Sequence, residues 1–144
     1  MRADREGLRA RLLATFHDEA EELLGEITAH LRALDGSRGD GDAAPPLDAA
    51  FRAMHTLKGA ARSVSLGEIE ALCQACEAAL SRLGRGEATV QAATVERLRE
   101  ATDGIARLIA EGPRAVRWQE LAQRVAQTSA AAPSPQTPAA APLA

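Results

Sequence analysis

Phe51-Arg52-Ala53-Met54-His55-Thr56-Leu57-Lys58-Gly59-Ala60-Ala61-Arg62-Ser63-Val64-Ser65-Leu66-Gly67-Glu68 reads as most of one helix, a tight turn and the start of the next. Leu47, Ala50, Met54, Leu57 and Ala61 recur at three- and four-residue steps, which lines one side of a helix with apolar groups. That helix is expected from near Pro46, a residue suited to a first turn, to about Ser63. Ser65, with Glu68 three residues later, has the pattern of a capping box opening the next helix. A connection this short makes the two helices antiparallel neighbours.

Working outward, Leu8, Leu12, Phe16, Leu23, Ile27, Leu31 and Leu34 form an apolar stripe from about Glu6 to Leu34, with acids between them. This predicts one long amphipathic helix before the quoted stretch. It stops at Asp35-Gly36-Ser37-Arg38-Gly39-Asp40-Gly41-Asp42, a Gly/Asp run that, with Pro45-Pro46 behind it, reads as a mobile loop. After the turn, Ile69, Leu72, Cys73, Cys76, Leu80 and Leu83 mark a third helix ending at Gly84-Arg85-Gly86. Val95, Leu98, Thr102, Ile105, Leu108 and Ile109 mark a fourth, from about Gln91 to Ala110, closed by Gly112 and Pro113. The expected fold is all-α, an antiparallel up-down four-helix bundle over about 6–110. A shorter fifth helix, about 114–127, offers Val116, Trp118, Leu121 and Val125 to pack across an end of the bundle. The domain so drawn spans 1–128, and 129–144 is Ala/Pro/Ser-rich and reads as a linker, hinting at a first module of a longer protein.

Composition supports the helical class. Aromatics are limited to Phe16, Phe51 and Trp118, and β-branched runs are scarce. The formal charge is −3, with arginines spread among acids, so no footprint for nucleic acid is present. No apolar run reaches membrane-spanning length and the N-terminus lacks the core of a signal peptide, so a cytoplasmic protein without membrane contact is expected. Cys73 and Cys76 have redox spacing but sit on the apolar stripe of a helix, where core thiols are expected.

The chemistry converges on His55. Of 17 basic residues the only lysine is Lys58, three residues after His55 and directly before Gly59. At about 100° per residue, His55, Lys58, Gly59 and Arg62 fall within roughly 100° of one another, about 120° from the centre of the apolar stripe. An exposed imidazole is a nucleophile that is partly neutral near physiological pH. Lys58 supplies a compact, flexible point charge that can screen phosphoryl oxygens, in a chain that otherwise uses the planar fork of arginine. Gly59 removes a side chain where another protein's active site would approach, at a cost of about 1 kcal/mol in helix propensity. With the turn centred near Ser65, His55 lies about 15 Å back along its helix and Glu77 about 18 Å along the next, so the two are nearly level. A carboxylate there would accept the Nδ1–H bond and leave Nε2 free to attack phosphorus. His17 and His30 lack such neighbours and read as surface residues.

His55-Thr56-Leu57-Lys58-Gly59-Ala60, between Phe51-Arg52-Ala53-Met54 and the Leu72, Glu77, Leu80 stripe, resembles a histidine-containing phosphotransfer (HPt) domain. In particular it is similar to the N-terminal domain of CheA-type chemotaxis histidine kinases, including Phe16, Glu19, Glu22 and Leu23 of the first helix. The resemblance covers roughly Leu12 to Leu108. It implies that His55 is phosphorylated on Nε2 by the ATP-binding domain of a kinase, and that the group passes to an aspartate of a CheY-like response regulator whose own site holds Mg²⁺. It implies Lys58 as the phosphoryl-side cation, Gly59 as the clearance position and Glu77 as the hydrogen-bond partner. Phe51, Arg52 and Arg62 are candidates for the docking surface. Many members of the family have glycine where Arg62 and Ser65 stand, and several kinases carry a second histidine near the position of Gln74.

No phosphate-cradling glycine loop is present, so no cofactor is expected in this chain and ATP belongs to another domain or protein. The expected partners are a histidine kinase catalytic domain and a response-regulator receiver domain, with the isolated module a monomer. The alternatives are a free-standing relay protein and a helical docking scaffold whose histidine is incidental.

Overall fold

The structure is a computed structural model that describes residues 2–35 and 40–131. It contains five helices: α1 (Arg2–Asp35), α2 (Asp40–Ser63), α3 (Gly67–Gly84), α4 (Ala92–Glu111) and α5 (Trp118–Ala131). Among the described residues there is no strand. Helices α1 to α4 pack in a closed ring, each against its neighbours in sequence and α4 back against α1. The core between them is built from the predicted stripes: Phe16, Ile27 and Leu31 from α1, Leu47, Met54 and Leu57 from α2, Leu72, Cys76 and Leu80 from α3, and Val95, Leu98 and Ile105 from α4. Among the described residues no helix is long and apolar enough to cross a membrane.

Four expectations need correction. The first concerns the start of α2, which lies at Asp40 rather than near Pro46, with both prolines inside the helix. Proline's fixed φ is compatible with a helix, and each ring removes one backbone hydrogen bond in the early turns of α2. Burial holds these turns: Ala43 and Leu47 are buried and line a cleft with Leu83, Ala88 and Val90 at the far end of α3. Residues 36–39 of the expected loop lie outside the described residues.

The second is the capping box, which does not form. Helix α3 begins after Leu66 with no side-chain cap, and Ser65 has φ 61°, in the left-handed region. Leu66 N–H donates to the Ala61 carbonyl at 3.0 Å and Ser65 N–H to the Arg62 carbonyl at 3.1 Å. These are the two bonds of a Schellman ending, so Ser65 closes α2 instead of opening α3. The same pair of bonds, Glu87 N–H to Arg82 and Gly86 N–H to Leu83, ends α3 with Gly86 at φ 77°.

The third is α5. It starts four residues later than expected, after a turn over 113–116, and runs three residues into the stretch read as linker. The remaining 132–144 lie outside the described residues. Instead of crossing an end, α5 lies against both α3 and α4. Gly104 on α4 permits this approach: a Cβ there would run into Leu121 and sit 3.6 Å from Leu72 and 3.7 Å from Val116. Val125 completes the seal and is buried.

The fourth is the N-terminal end of α1. Leu8 and Leu12 continue the apolar stripe yet are 52% and 49% exposed. Leu12 borders a shallow cleft with Ala60, Ser63 and Val64, and the Arg9 guanidinium donates to the Val64 carbonyl at 3.2 Å.

Candidate functional site

The Schellman turn sets α2 and α3 side by side with little slack, and the levelling of His55 with Glu77 follows. His55 sits on the outer face of α2, its side chain 64% exposed, while Glu77 reaches up from the buried side of α3, only 9% exposed. The His55 Nδ1 and Glu77 Oε2 atoms are hydrogen-bonded across the hairpin. With the carboxylate ionised, this bond places the proton on Nδ1 and the ring's reactive lone pair on Nε2. Nε2 has no polar partner among the described residues.

The other carboxylate oxygen is used as well. Lys58 Nζ, one turn after His55 on α2, donates to Glu77 Oε1 at 2.5 Å and to Gln74 Oε1 at 3.0 Å. Glu77 thus bridges imidazole and ammonium, one oxygen to each. Burial pushes the Glu77 carboxyl up, and the hydrogen bonds and charges of Lys58 and His55 outweigh it, holding the group below the ordinary carboxylate range. It is an anion at neutral pH, which is the state that an Nδ1–H donor requires.

Phe51, one turn before His55, stacks on the imidazole with ring centroids 6.2 Å apart and planes 15° from parallel. It is only partly exposed and leans on the core, so it restricts the ring of His55 from one side. Gly59 is exposed, and a Cβ built on it would meet nothing within 4 Å. Packing within the domain therefore gives no reason for glycine at this point of a helix. Arg52 pairs with Asp48 at 3.1 Å on the same helix and Arg62 loosely with Glu70 at 3.9 Å. Both guanidinium groups are largely in solvent, at the edges of the face that His55 occupies.

The remaining candidates are inert. Cys73 and Cys76 are free thiols without exposed surface. Burial, and then the neighbouring Glu77 charge, pushes the Cys73 thiol up to about 12, and burial raises that of Cys76 too. Neither is a nucleophile at neutral pH. His17 lies exposed on α1, with its ring edge-on to Phe16, and His30 is half-buried beside Asp48 and Arg52. Among the described residues no cluster of histidine, cysteine and carboxylate side chains is arranged to hold a metal.

The structure thus brings together His55, Lys58, Glu77 and Phe51, with Gly59 as the open position beside them, and leaves Arg52 and Arg62 peripheral. Sequence reasoning missed that Gln74 bonds Lys58 and that Phe51 stacks on His55. The signal for Gln74 was present: it lies three residues before Glu77 on the same face of α3 and is level with Lys58 across the hairpin.

Comparison with known proteins bears on the family of the chain. The family model described as Hpt domain matches residues 11–131. Two relatives are proteins named Chemotaxis protein CheA. The one from Treponema pallidum (strain Nichols) is 32% identical over 94 residues, 65% of this chain and 11% of the relative. The one from Klebsiella aerogenes is 33% identical over 89 residues, 62% of this chain and 13% of the relative. The chain therefore spans only a small part of the length of these curated relatives.

Proposed function

The chain belongs to the Hpt domain family, and from that premise we propose that it is the phosphotransfer module of a chemotaxis-type two-component system, with His55 as its phosphoacceptor. The Nε2 lone pair forms the bond to phosphorus as the bond from the γ-phosphorus to ADP breaks. No proton need leave the ring, because Nδ1 keeps its hydrogen and the ring takes on positive charge. The Glu77 carboxylate, held anionic beside Nδ1, stabilises that charge. Transfer onward reverses the step: the Nε2–P bond breaks while a carboxylate oxygen of the regulator's aspartate bonds to phosphorus, and the ring returns to its neutral form.

The observation that carries the proposal is the pairing of an exposed imidazole with a buried, ionised carboxylate on its far nitrogen. A histidine that only decorated a surface would need no such partner. Lys58, already at the site, supplies a cation for phosphoryl oxygens, and Gly59 leaves the approach open. ATP is bound by the donor kinase core and Mg²⁺ by the regulator. The relatives' name supports a CheA-like protein as the larger protein, and the resemblance of the His55 motif implies a CheY-like receiver as the acceptor.

Phosphoramidate, a small donor selective for histidine, tests the chemistry without a docking partner. The chain is expected to gain acid-labile phosphate at His55, located by mass spectrometry, and to lose it to a receiver domain. His55→Gln should abolish the label. Transferable label retained by that variant would sink the proposal. A folded wild-type chain left unlabelled both by phosphoramidate and by a kinase core would favour the docking scaffold, in which Leu72→Ala but not His55→Gln abolishes binding.

A further inference from the structure

Lys58 carries three donor hydrogens, and two of them are engaged on α3: one to the Glu77 carboxylate at 2.5 Å and one to the Gln74 side-chain amide at 3.0 Å. The two acceptors differ. Glu77 is buried and charged, whereas Gln74 is exposed and neutral, so the bond to Gln74 is the weaker. Glu77 also stands between the ammonium and the imidazole, with one oxygen on each. The ammonium is therefore held against α3 by Glu77 and Gln74, with the Glu77 carboxylate between it and Nδ1 of the ring.

We propose that Gln74 is a positioning residue that sets the resting place of Lys58, and that phosphoryl addition to His55 exchanges the Lys58–Gln74 bond for one to a phosphoryl oxygen. The inference rests on His55 as phosphoacceptor. Three features of the site support it. A phosphoryl group on Nε2 presents charged oxygens, which outcompete a neutral amide for an ammonium. The flexible stem and compact head of lysine allow the swing while the bond to Glu77 persists. Finally, the side chain at 74 holds a cation without carrying charge. A carboxylate there would hold Lys58 too firmly and repel the phosphoryl group, and a cation would displace it.

Because Lys58 is the only lysine, ¹⁵N-lysine labelling gives a single side-chain ammonium signal. That signal is expected to move when phosphoramidate phosphorylates His55. In unphosphorylated Gln74→Ala it should already be displaced toward the phosphorylated position. Labelling of Gln74→Ala should be about threefold faster than wild type, since one hydrogen bond to a charged group at an exposed site no longer has to be broken. That gain should vanish in a Lys58→Ala background. An ammonium signal unmoved by Gln74→Ala, or an equal rate change with and without Lys58, would overturn the inference while leaving the phosphoacceptor role intact. A wild-type chain that takes no label on His55 by any donor would remove both.

Discussion

The α2–α3 face and the α4–α5 groove are built from similar parts and differ in what those parts touch. Each holds a helix-interior glycine and a set of paired charges. In the groove, Gly104 is buried under Leu121, and Arg107 donates to Glu111 one turn along its own helix. On the α2–α3 face, a side chain at Gly59 would meet nothing, and Lys58 and His55 of one helix share the buried Glu77 of another. Pairs within one exposed helix turn contribute little, because solvent screens them and side-chain ordering offsets the gain. A carboxylate removed from water and held between two donors has a defined ionisation state and a defined partner, and chemistry needs both. The groove is architecture, and the face gives up stability for access.

The contrast can be broken most severely at Glu77. Glu77→Gln keeps the shape but removes the charge beside Nδ1, and labelling of His55 by phosphoramidate should fall roughly ten- to a hundredfold. The same residue governs acid stability. Its folded pKa lies below the ordinary value of 4.5, so its contribution is present above that pH and is lost as pH falls through the folded value. Urea midpoints of wild type and Glu77→Gln should therefore differ at neutral pH and converge in acid. Midpoints that stay parallel across the range would show that the carboxylate is not held by its two donors.

Next in size is the groove. Gly104→Leu forces a side chain into Leu121, Leu72 and Val116 and should cost about 2 kcal/mol as overpacking. Trp118, the sole tryptophan and the first residue of α5, reports the displacement through its fluorescence. His55 labelling should persist in that variant, since Gly104 lies outside the α2–α3 face.

Smaller effects of opposite sign sharpen the comparison. Ser65 occupies a left-handed position without being glycine, and Ser65→Gly should stabilise the chain by about 1 kcal/mol in chemical denaturation. Gly59 is glycine without a left-handed position or a close neighbour, and Gly59→Ala should stabilise it by about 0.5–1 kcal/mol. If the more stable Gly59→Ala chain accepts phosphate from a kinase core more slowly, the glycine serves the partner's approach. An unchanged rate with the kinase core would return Gly59 to the category of tolerated defects.

Much of the fold was legible because periodicity reports which side of a helix is buried. The stripes around Ile27, Leu57, Leu72 and Ile105 meet in the core as expected. Reading failed where two neighbours competed for one residue. Ser65 and Glu68 have the residues of a capping box, but the backbone spends Ser65 on closing α2, and no local pattern distinguishes the two uses. Pro46 is read as the first turn of α2 with a loop before it, yet the helix, with Ala43 and Leu47 buried, starts earlier and runs through both prolines. Leu8 and Leu12 obey the period of α1 but are left about half exposed.

By itself the sequence determined the helical class, the exposed phase of His55, its levelling with Glu77 and the oddity of a single lysine before a glycine. Each of these depends on spacing along one chain or across one short hairpin, where helix geometry converts residue number into distance. Only the tertiary structure decided that Glu77 is shared with Lys58, that Gln74 holds the same ammonium, that Gly104 seats α5 and that Gly59 faces open space. Those outcomes depend on how far side chains from separate helices reach and on what fills the space between them, and neither is written in the order of the residues.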